Sequence, residues 1–204
     1  MKRWSEKIAF SFYFLNYDMD AKFEKEMESR KMTNKAYDLA KKYFENKMDK
    51  GGKSYIGHLE RVSNAVYLEK ERVVKDKSSI LGQYYDKAYI VALLHDLLED
   101  TDCTPEILEK EGFDSEIIEA VIAITRRKDE KYYFDFIERV NRNDIARLVK
   151  KYDLEDNMDI RRLISLENED LERLKRYWYC WRYLQGKINS VSCNNIIHPD
   201  RLFR

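Results

Sequence analysis

Apolar residues recur at a helical spacing along most of the chain. From Thr33, which is predicted to be a helix N-cap, they fall at i, i+3, i+4, i+7 and i+8. This is the stripe that one buried helix face requires. The pattern predicts further helices over about 55–71, 85–99, 105–112, 114–125, 132–140, 145–158 and 170–184. The pattern leaves the secondary structure of residues 1–30 open and predicts an all-α fold for the rest of the chain.

The predicted helix over 85–99 is apolar on nearly every side, so we expect it at the centre of the domain. It ends in VALLHDLLEDT, which sets four polar residues into that apolar run: His95, Asp96, Glu99 and Asp100. Residues four apart share a helix face, which would place His95 beneath Glu99. Burying these groups unpaired is costly, and a divalent cation would remove most of that cost. Imidazole and carboxylate ligands suit manganese, iron or zinc.

Two other segments carry polar residues on faces that are otherwise apolar. His58 lies on the inner stripe of the helix over 55–71, beside Val62. A single histidine in such a place is more often a core residue with satisfied hydrogen bonds than a ligand. Asp153 and Asn157 are four residues apart, so they share a face near the end of the helix over 145–158. A carboxylate and a carboxamide there also need a partner.

Composition limits the class of protein. The 204 residues suit one good-sized core, and 38 basic residues balance 38 acidic ones, which gives no global reason to expect nucleic acid or a membrane surface as a partner. Three cysteines without a CxxC pair favour a cytoplasmic protein. No run reaches the about 18 apolar residues of a membrane span. We predict an appended segment over 1–30, a domain over 31–186 and a tail over 187–204.

The order His58, His95-Asp96, Asp153 resembles the H…HD…D signature of the HD superfamily of metal-dependent phosphohydrolases. Four segments more narrowly resemble the hydrolase domain of RelA/SpoT proteins, especially its small stand-alone versions: SYIGHLERV, VALLHDLLEDT, AITRRKDEKYYFDFIERV and LVKKYDLEDNM. The resemblance spans about 33–184 and implies a single-domain, all-α fold. It also implies removal of the 3′-pyrophosphate of guanosine tetra- or pentaphosphate, which gives GDP or GTP and pyrophosphate.

The resemblance implies a role for each matching position. The ligands of one Mn²⁺ ion, with Fe²⁺, Zn²⁺ or Mg²⁺ as alternatives, would be His58, His95, Asp96 and Asp153. The catalytic pair, which acts on the water and the departing phosphate, would be Glu99 and Asp100. The substrate-binding residues would be Lys50, Tyr55 and Asn157. Two or three cations at the phosphates are expected from a set of seven: Lys50, Lys53, Arg126, Arg127, Lys150, Arg161 and Arg162.

The chain departs from the family pattern at Asp49, where an arginine is common, and at Ser54, where proline is usual. Asp49 removes a cation near the expected phosphates, so the same chemistry on another nucleotide stays open: an adenosine alarmone, the 2′-phosphate of NADPH or a nucleoside phosphate. A nucleotide-binding protein without turnover is a third alternative. The aromatic stretches FSFYFLNY and YWYCWRYL could form a homodimer surface, or a terminal helix pair that covers the core.

Overall fold

The computed structural model describes the backbone of residues 2–189 and the side chains of residues 23–189. In this part of the chain there are nine α-helices and one 3-10 helix, η1, and no strand. Their bounds are α1 Lys2–Phe44, α2 Ile56–Val73, α3 Ile80–Leu94, α4 Leu97–Asp100, α5 Pro105–Lys110, α6 Ser115–Ile124, α7 Tyr133–Val140, α8 Asp144–Asn157, η1 Ile160–Arg162 and α9 Asn168–Leu184. The predicted all-α fold is confirmed.

Helix α3 occupies the centre of the domain, as its apolar sequence predicts. It packs against α1, α2, α6 and α8. Its last turns are buried on all sides, through Ala88, Ile90, Val91, Ala92, Leu93 and Leu94. Helices α2 and α8 also pack against each other, so three neighbouring helices bring together the segments that carry the candidate ligands.

Helix α1 differs from the sequence prediction. It runs without a break from Lys2 to Phe44, so the prediction of Thr33 as its N-cap is wrong. The segment FEKEMESRKM before Thr33 consists largely of good helix formers and holds neither glycine nor proline, so nothing there stops the helix. The helix also crosses position 30, the predicted limit of the appended segment. The side chains of FSFYFLNY and the last fifteen residues of the predicted tail lie outside the described part of the chain.

The prediction of one continuous helix over 85–99 is also wrong. Helix α3 ends at Leu94 and α4 begins at Leu97, with His95 and Asp96 at the joint. Asp96 has φ −98° and ψ 0°, in the bridge region between helix and strand. Apolar periodicity does not reveal so short a break, because both helices continue the same apolar run. The break places two candidate ligands at the end of the most buried helix.

Gly82 marks a close approach between α3 and the loop that precedes it. A Cβ atom there would lie 2.1 Å from the backbone oxygen of Lys77. Although alanine is the better helix former by roughly 1 kcal/mol, we expect Gly82→Ala to destabilise the protein by about 1–3 kcal/mol, because the backbone must shift. Thermal unfolding followed by circular dichroism measures this. Gly57→Ala is the control, since a Cβ there meets only the end of the Arg61 side chain at 3.3 Å. Equal melting temperatures for the two variants would contradict the close approach.

Candidate metal centre

Three of the predicted ligands converge at the joint between α3 and α4. One ligand atom each from His58, His95 and Asp96 lies within 4.8 Å of the other two. The Nε2 atom of His95 is 3.1 Å from Oδ2 of Asp96, and Nε2 of His58 is 3.5 Å from the same oxygen. Both histidines are buried. This is a compact cluster with the donor atoms that a divalent metal uses.

Asp153 approaches this cluster from α8. Its Oδ1 atom lies 3.1 Å from Nε2 of His58 and 3.5 Å from Nε2 of His95. The side chain is buried like those of the histidines. The fold therefore brings together all four residues that were predicted as ligands, from α2, the α3–α4 joint and α8.

Both imidazole rings present Nε2 to the cluster because the other ring nitrogen is occupied. Nδ1 of His95 lies 2.8 Å from the carbonyl oxygen of Ala92, and a carbonyl oxygen can only accept, so Nδ1 carries the hydrogen. Nδ1 of His58 donates to Oδ2 of Asp156 at 2.6 Å. Within the described residues, Nε2 of His95 is buried without a hydrogen-bond partner. A buried polar atom of this kind needs a partner, and a divalent cation between the rings and carboxylates fits that need.

The charges of the cluster depend strongly on one another. Burial alone lowers the pKa of His95, but the charge of Asp96 and contacts with Asp153 outweigh it and raise this pKa to about 9. Burial likewise opposes the charged form of His58, yet its hydrogen bonds to Asp153 and Asp156 raise its pKa well above the usual value. The pKa values of Asp96 and Asp153 are held far below their usual range, against burial, by the neighbouring cations. Asp96 and Asp153 therefore stay ionised. Their buried negative charge must be balanced by positive charge, which protons on the histidines or a metal ion can supply.

Two residues of α8 hold Asp153 in place. Nζ of Lys150 donates to Oδ2 of Asp153 at 2.7 Å, and Nδ2 of Asn157 donates to Oδ1 at 2.6 Å. Lys150 is buried, and despite burial its pKa is raised well above the usual value by the charge of Asp153. Asn157, which the family resemblance places at the nucleotide, thus directly contacts a candidate ligand.

Tyr55 connects the cluster to Asp100. Its hydroxyl lies 2.6 Å from Oδ2 of Asp96 and 3.1 Å from Oδ2 of Asp100. Burial and the charge of Asp96 raise the pKa of Tyr55, so the hydroxyl keeps its proton. Nζ of Lys47 lies 2.6 Å from Oδ2 of Asp100 and 4.3 Å from the centre of the Tyr55 ring. Lys47, which follows the end of α1, was not among the site residues predicted from the sequence.

Glu99 points to a different neighbour from Asp100. Its Oε2 accepts a hydrogen bond from the backbone N–H of Arg126 at 3.1 Å, in the loop after α6. Burial raises the pKa of Glu99, although this hydrogen bond opposes the change. Asp100 instead contacts Lys47 and Tyr55. The side chains of Glu99 and Asp100 therefore extend from α4 toward different neighbours.

Four of the seven predicted phosphate cations form two groups, one exposed and one that reaches the cluster. The side chain of Lys50 is 68% exposed, and its Nζ atom lies 3.7 Å from Oδ1 of Asp170. The side chain of Arg161 is 86% exposed and pairs with Asp159. Lys150 reaches the cluster through Asp153, and Arg162 reaches it through Asp156. Asp156 itself was not among the site residues predicted from the sequence.

Lys150→Met tests the buried pair with Asp153. Removing one partner of a buried ion pair costs about 3–5 kcal/mol, because the other charge stays buried. We expect the metal-free variant to lose stability on that scale and to recover part of it with Mn²⁺, which supplies positive charge at Asp153. Melting temperatures with and without Mn²⁺ measure both effects. Arg147→Met, which removes a more exposed charge from the same helix, is the control and should change little. An equal effect in both variants would contradict the role of Lys150.

Comparison with known proteins supports the fold assignment. No protein-family model and no curated protein matches the sequence. The structure is similar to that of a metazoan ortholog of SpoT, described as hydrolysing ppGpp and acting in starvation responses, with a TM-score of 0.58 and 21% sequence identity. The alignment covers 83% of this chain and 95% of that chain. The chain thus has the all-helical fold of that SpoT ortholog. Among the described residues, no helix has the length and apolar character needed to span a membrane.

Proposed function

We propose that the protein is a metal-dependent phosphohydrolase that removes the 3′-pyrophosphate of guanosine tetra- or pentaphosphate. The products would be GDP or GTP and pyrophosphate. The observation that carries this proposal is the buried Nε2 atom of His95, which lacks a hydrogen-bond partner among the described residues and faces Asp96, Asp153 and the second imidazole. The shared fold with a ppGpp hydrolase adds support.

The candidate ligands suit Mn²⁺, and Fe²⁺, Zn²⁺ or Mg²⁺ are alternatives with the same set of N and O donors. The residues that would hold the ion are His58, His95, Asp96 and Asp153. When bound, the ion withdraws charge from the phosphoryl group and favours ionisation of the attacking water. Lys150 and Asn157 keep Asp153 oriented.

The two acids of α4 act on the attacking water. Glu99 accepts the proton of the water that attacks the phosphorus bonded to the 3′ oxygen, and burial raises the pKa of Glu99, which favours proton uptake. Asp100 is held at Oδ2 by Lys47 and Tyr55, and we assign its Oδ1 to orient the water. A P–O bond forms to the water oxygen, the bond to the 3′ oxygen breaks, and that oxygen takes the proton that Glu99 accepted from the water.

A second candidate is the same hydrolysis on another nucleotide: an adenosine alarmone, the 2′-phosphate of NADPH or a nucleoside phosphate. Asp49 occupies the place of a common family arginine, and Lys50 is largely exposed and directed to Asp170. Both observations reduce the positive charge expected around a tetraphosphate.

The values of kcat/KM for a panel of nucleotides separate these candidates. We expect the metal-loaded protein to show its highest kcat/KM with guanosine tetraphosphate in a panel that includes an adenosine alarmone and NADPH. A higher kcat/KM for NADPH or for the adenosine compound would support the second candidate. Tight nucleotide binding without turnover of any compound would indicate a binding protein and would contradict the proposed reaction.

A further inference from the structure

Asp156 contacts His58 at Nδ1, the ring nitrogen other than the candidate ligand atom Nε2. Its Oδ2 accepts the hydrogen of His58 Nδ1 at 2.6 Å. Arg61 donates to the same carboxylate, through Nε at 2.6 Å and through Nη2 at 3.2 Å, and Nη2 of Arg162 lies 3.3 Å from Oδ2. Two guanidinium groups therefore fix a carboxylate whose other partner is a candidate metal ligand.

Asp49 joins these arginines from the loop between α1 and α2. Its Oδ2 lies 3.2 Å from Nη1 of Arg162 and 3.7 Å from Nη2 of Arg61, and its side chain is only 6% exposed. Its Oδ1 accepts the backbone N–H groups of Gly51 and Lys53, both at 2.9 Å. Asp49 thus has its negative charge compensated by the protein itself.

The loop and η1 are in close contact at this point. A Cβ atom on Gly51 would lie 2.3 Å from the backbone oxygen of Arg162, and Nη2 of Arg162 donates to the backbone oxygen of Asp156 at 2.9 Å. The loop, η1 and the end of α8 are therefore held in one relative position. Asp49, Arg61, Arg162 and Asp156 form what we call the Asp49–Asp156 network.

We infer that the Asp49–Asp156 network positions His58 for the metal ion, and that Asp49 acts through this network instead of on substrate phosphates. The inference rests on the metal site of the proposed function. A carboxylate partner fixes both the ring orientation of a ligating histidine and the nitrogen that carries hydrogen. Asp49 contributes because it balances one of the two arginine charges. Without it, both guanidinium groups would compete with His58 for Asp156.

Metal affinity tests the inference independently of turnover. In Asp156→Asn we expect Mn²⁺ binding to weaken by roughly 10–100-fold, the usual scale for a lost partner of a ligating residue. Asp49→Asn should weaken it in the same direction by less. Titration followed by the electron paramagnetic resonance signal of free Mn²⁺ gives the affinities. The control is Asp144→Asn, the same change at an exposed position on α8, which should bind like the wild type.

The visible absorption bands of the Co²⁺-loaded protein provide the second readout, because they report ligand geometry. They should shift in Asp156→Asn and Asp49→Asn and stay unchanged in Asp144→Asn. A residue with a purely structural role would lower the melting temperature but leave the spectrum and the Mn²⁺ affinity of the folded protein unchanged. Wild-type affinity and spectra in both Asp156→Asn and Asp49→Asn would overturn the inference.

Asp49→Arg distinguishes the network from a direct effect on substrate. An arginine there would face Arg61 and Arg162, so we expect weaker Mn²⁺ binding and no gain in nucleotide affinity. Unchanged Mn²⁺ affinity together with tighter binding of guanosine tetraphosphate would place Asp49 at the phosphates and overturn the inference. Failure of the wild-type protein to bind any of Mn²⁺, Fe²⁺, Zn²⁺ and Mg²⁺ would instead overturn the metal site itself, and the proposed function with it.

Discussion

His95→Ala is expected to abolish stoichiometric metal binding and hydrolysis together. The variant loses Nε2, which is 3.1 Å from Asp96 and 3.5 Å from Asp153, and leaves these two carboxylates with fewer cationic neighbours. Metal content after reconstitution and gel filtration, measured by elemental analysis, tests the first effect. Turnover of guanosine tetraphosphate tests the second.

Asp153→Ala provides a parallel test from another helix. Because Asp153 contacts both histidines, this variant should lose metal like His95→Ala. Circular dichroism must show that both variants remain folded. Undiminished metal affinity in the two folded variants would contradict the assignment of these residues as ligands.

Glu99→Gln is expected to keep the fold and the metal but to lose turnover by about 10²–10⁴-fold, the usual scale for a positioned acid–base group. The amide preserves the shape of the side chain and can still accept the hydrogen bond from Arg126, but it cannot take up a proton at neutral pH. Nucleotide affinity should change little or improve, because a negative charge near the phosphates is removed. Rates, affinities and metal content are measured on the same preparation.

Two further variants complete the test of the acid pair. Glu109→Gln, at an exposed position on α5, should behave like the wild type. Asp100→Asn should lose turnover because Asp100 is assigned to orient the water. Near-native turnover in both Glu99→Gln and Asp100→Asn would mean that the pair only completes the short helix α4.

Much of the fold could be predicted from apolar spacing, because that spacing determines which helix face is buried. The central place of α3 followed from its apolar residues on all sides, and α9 begins and ends close to the predicted limits. The break at His95 and Asp96 did not follow from the pattern, since Leu94 and Leu97 both continue it. The start of α1 was missed because Thr33 is favourable at an N-cap but is also tolerated within a helix.

The candidate ligands could be selected from the sequence because motif order carries that information. Their partners could not, because they depend on how distant helices pack. Asp156 meets His58 across 98 positions of the chain, and Lys47 meets Asp100 across 53. For Asp49, comparison with the family pattern showed only that an arginine was missing, whereas the structure pairs it with Arg61 and Arg162.

The most direct test of the proposed function is the identity of the phosphorus product. Phosphorus NMR of guanosine tetraphosphate incubated with the Mn²⁺-loaded protein should show pyrophosphate and GDP appearing in equal amounts. The signals of both products, pyrophosphate and GDP, should be absent after metal chelation and in His95→Ala. Inorganic phosphate as the only phosphorus product, or undiminished pyrophosphate release by chelator-treated protein, would contradict metal-dependent cleavage at the 3′ oxygen.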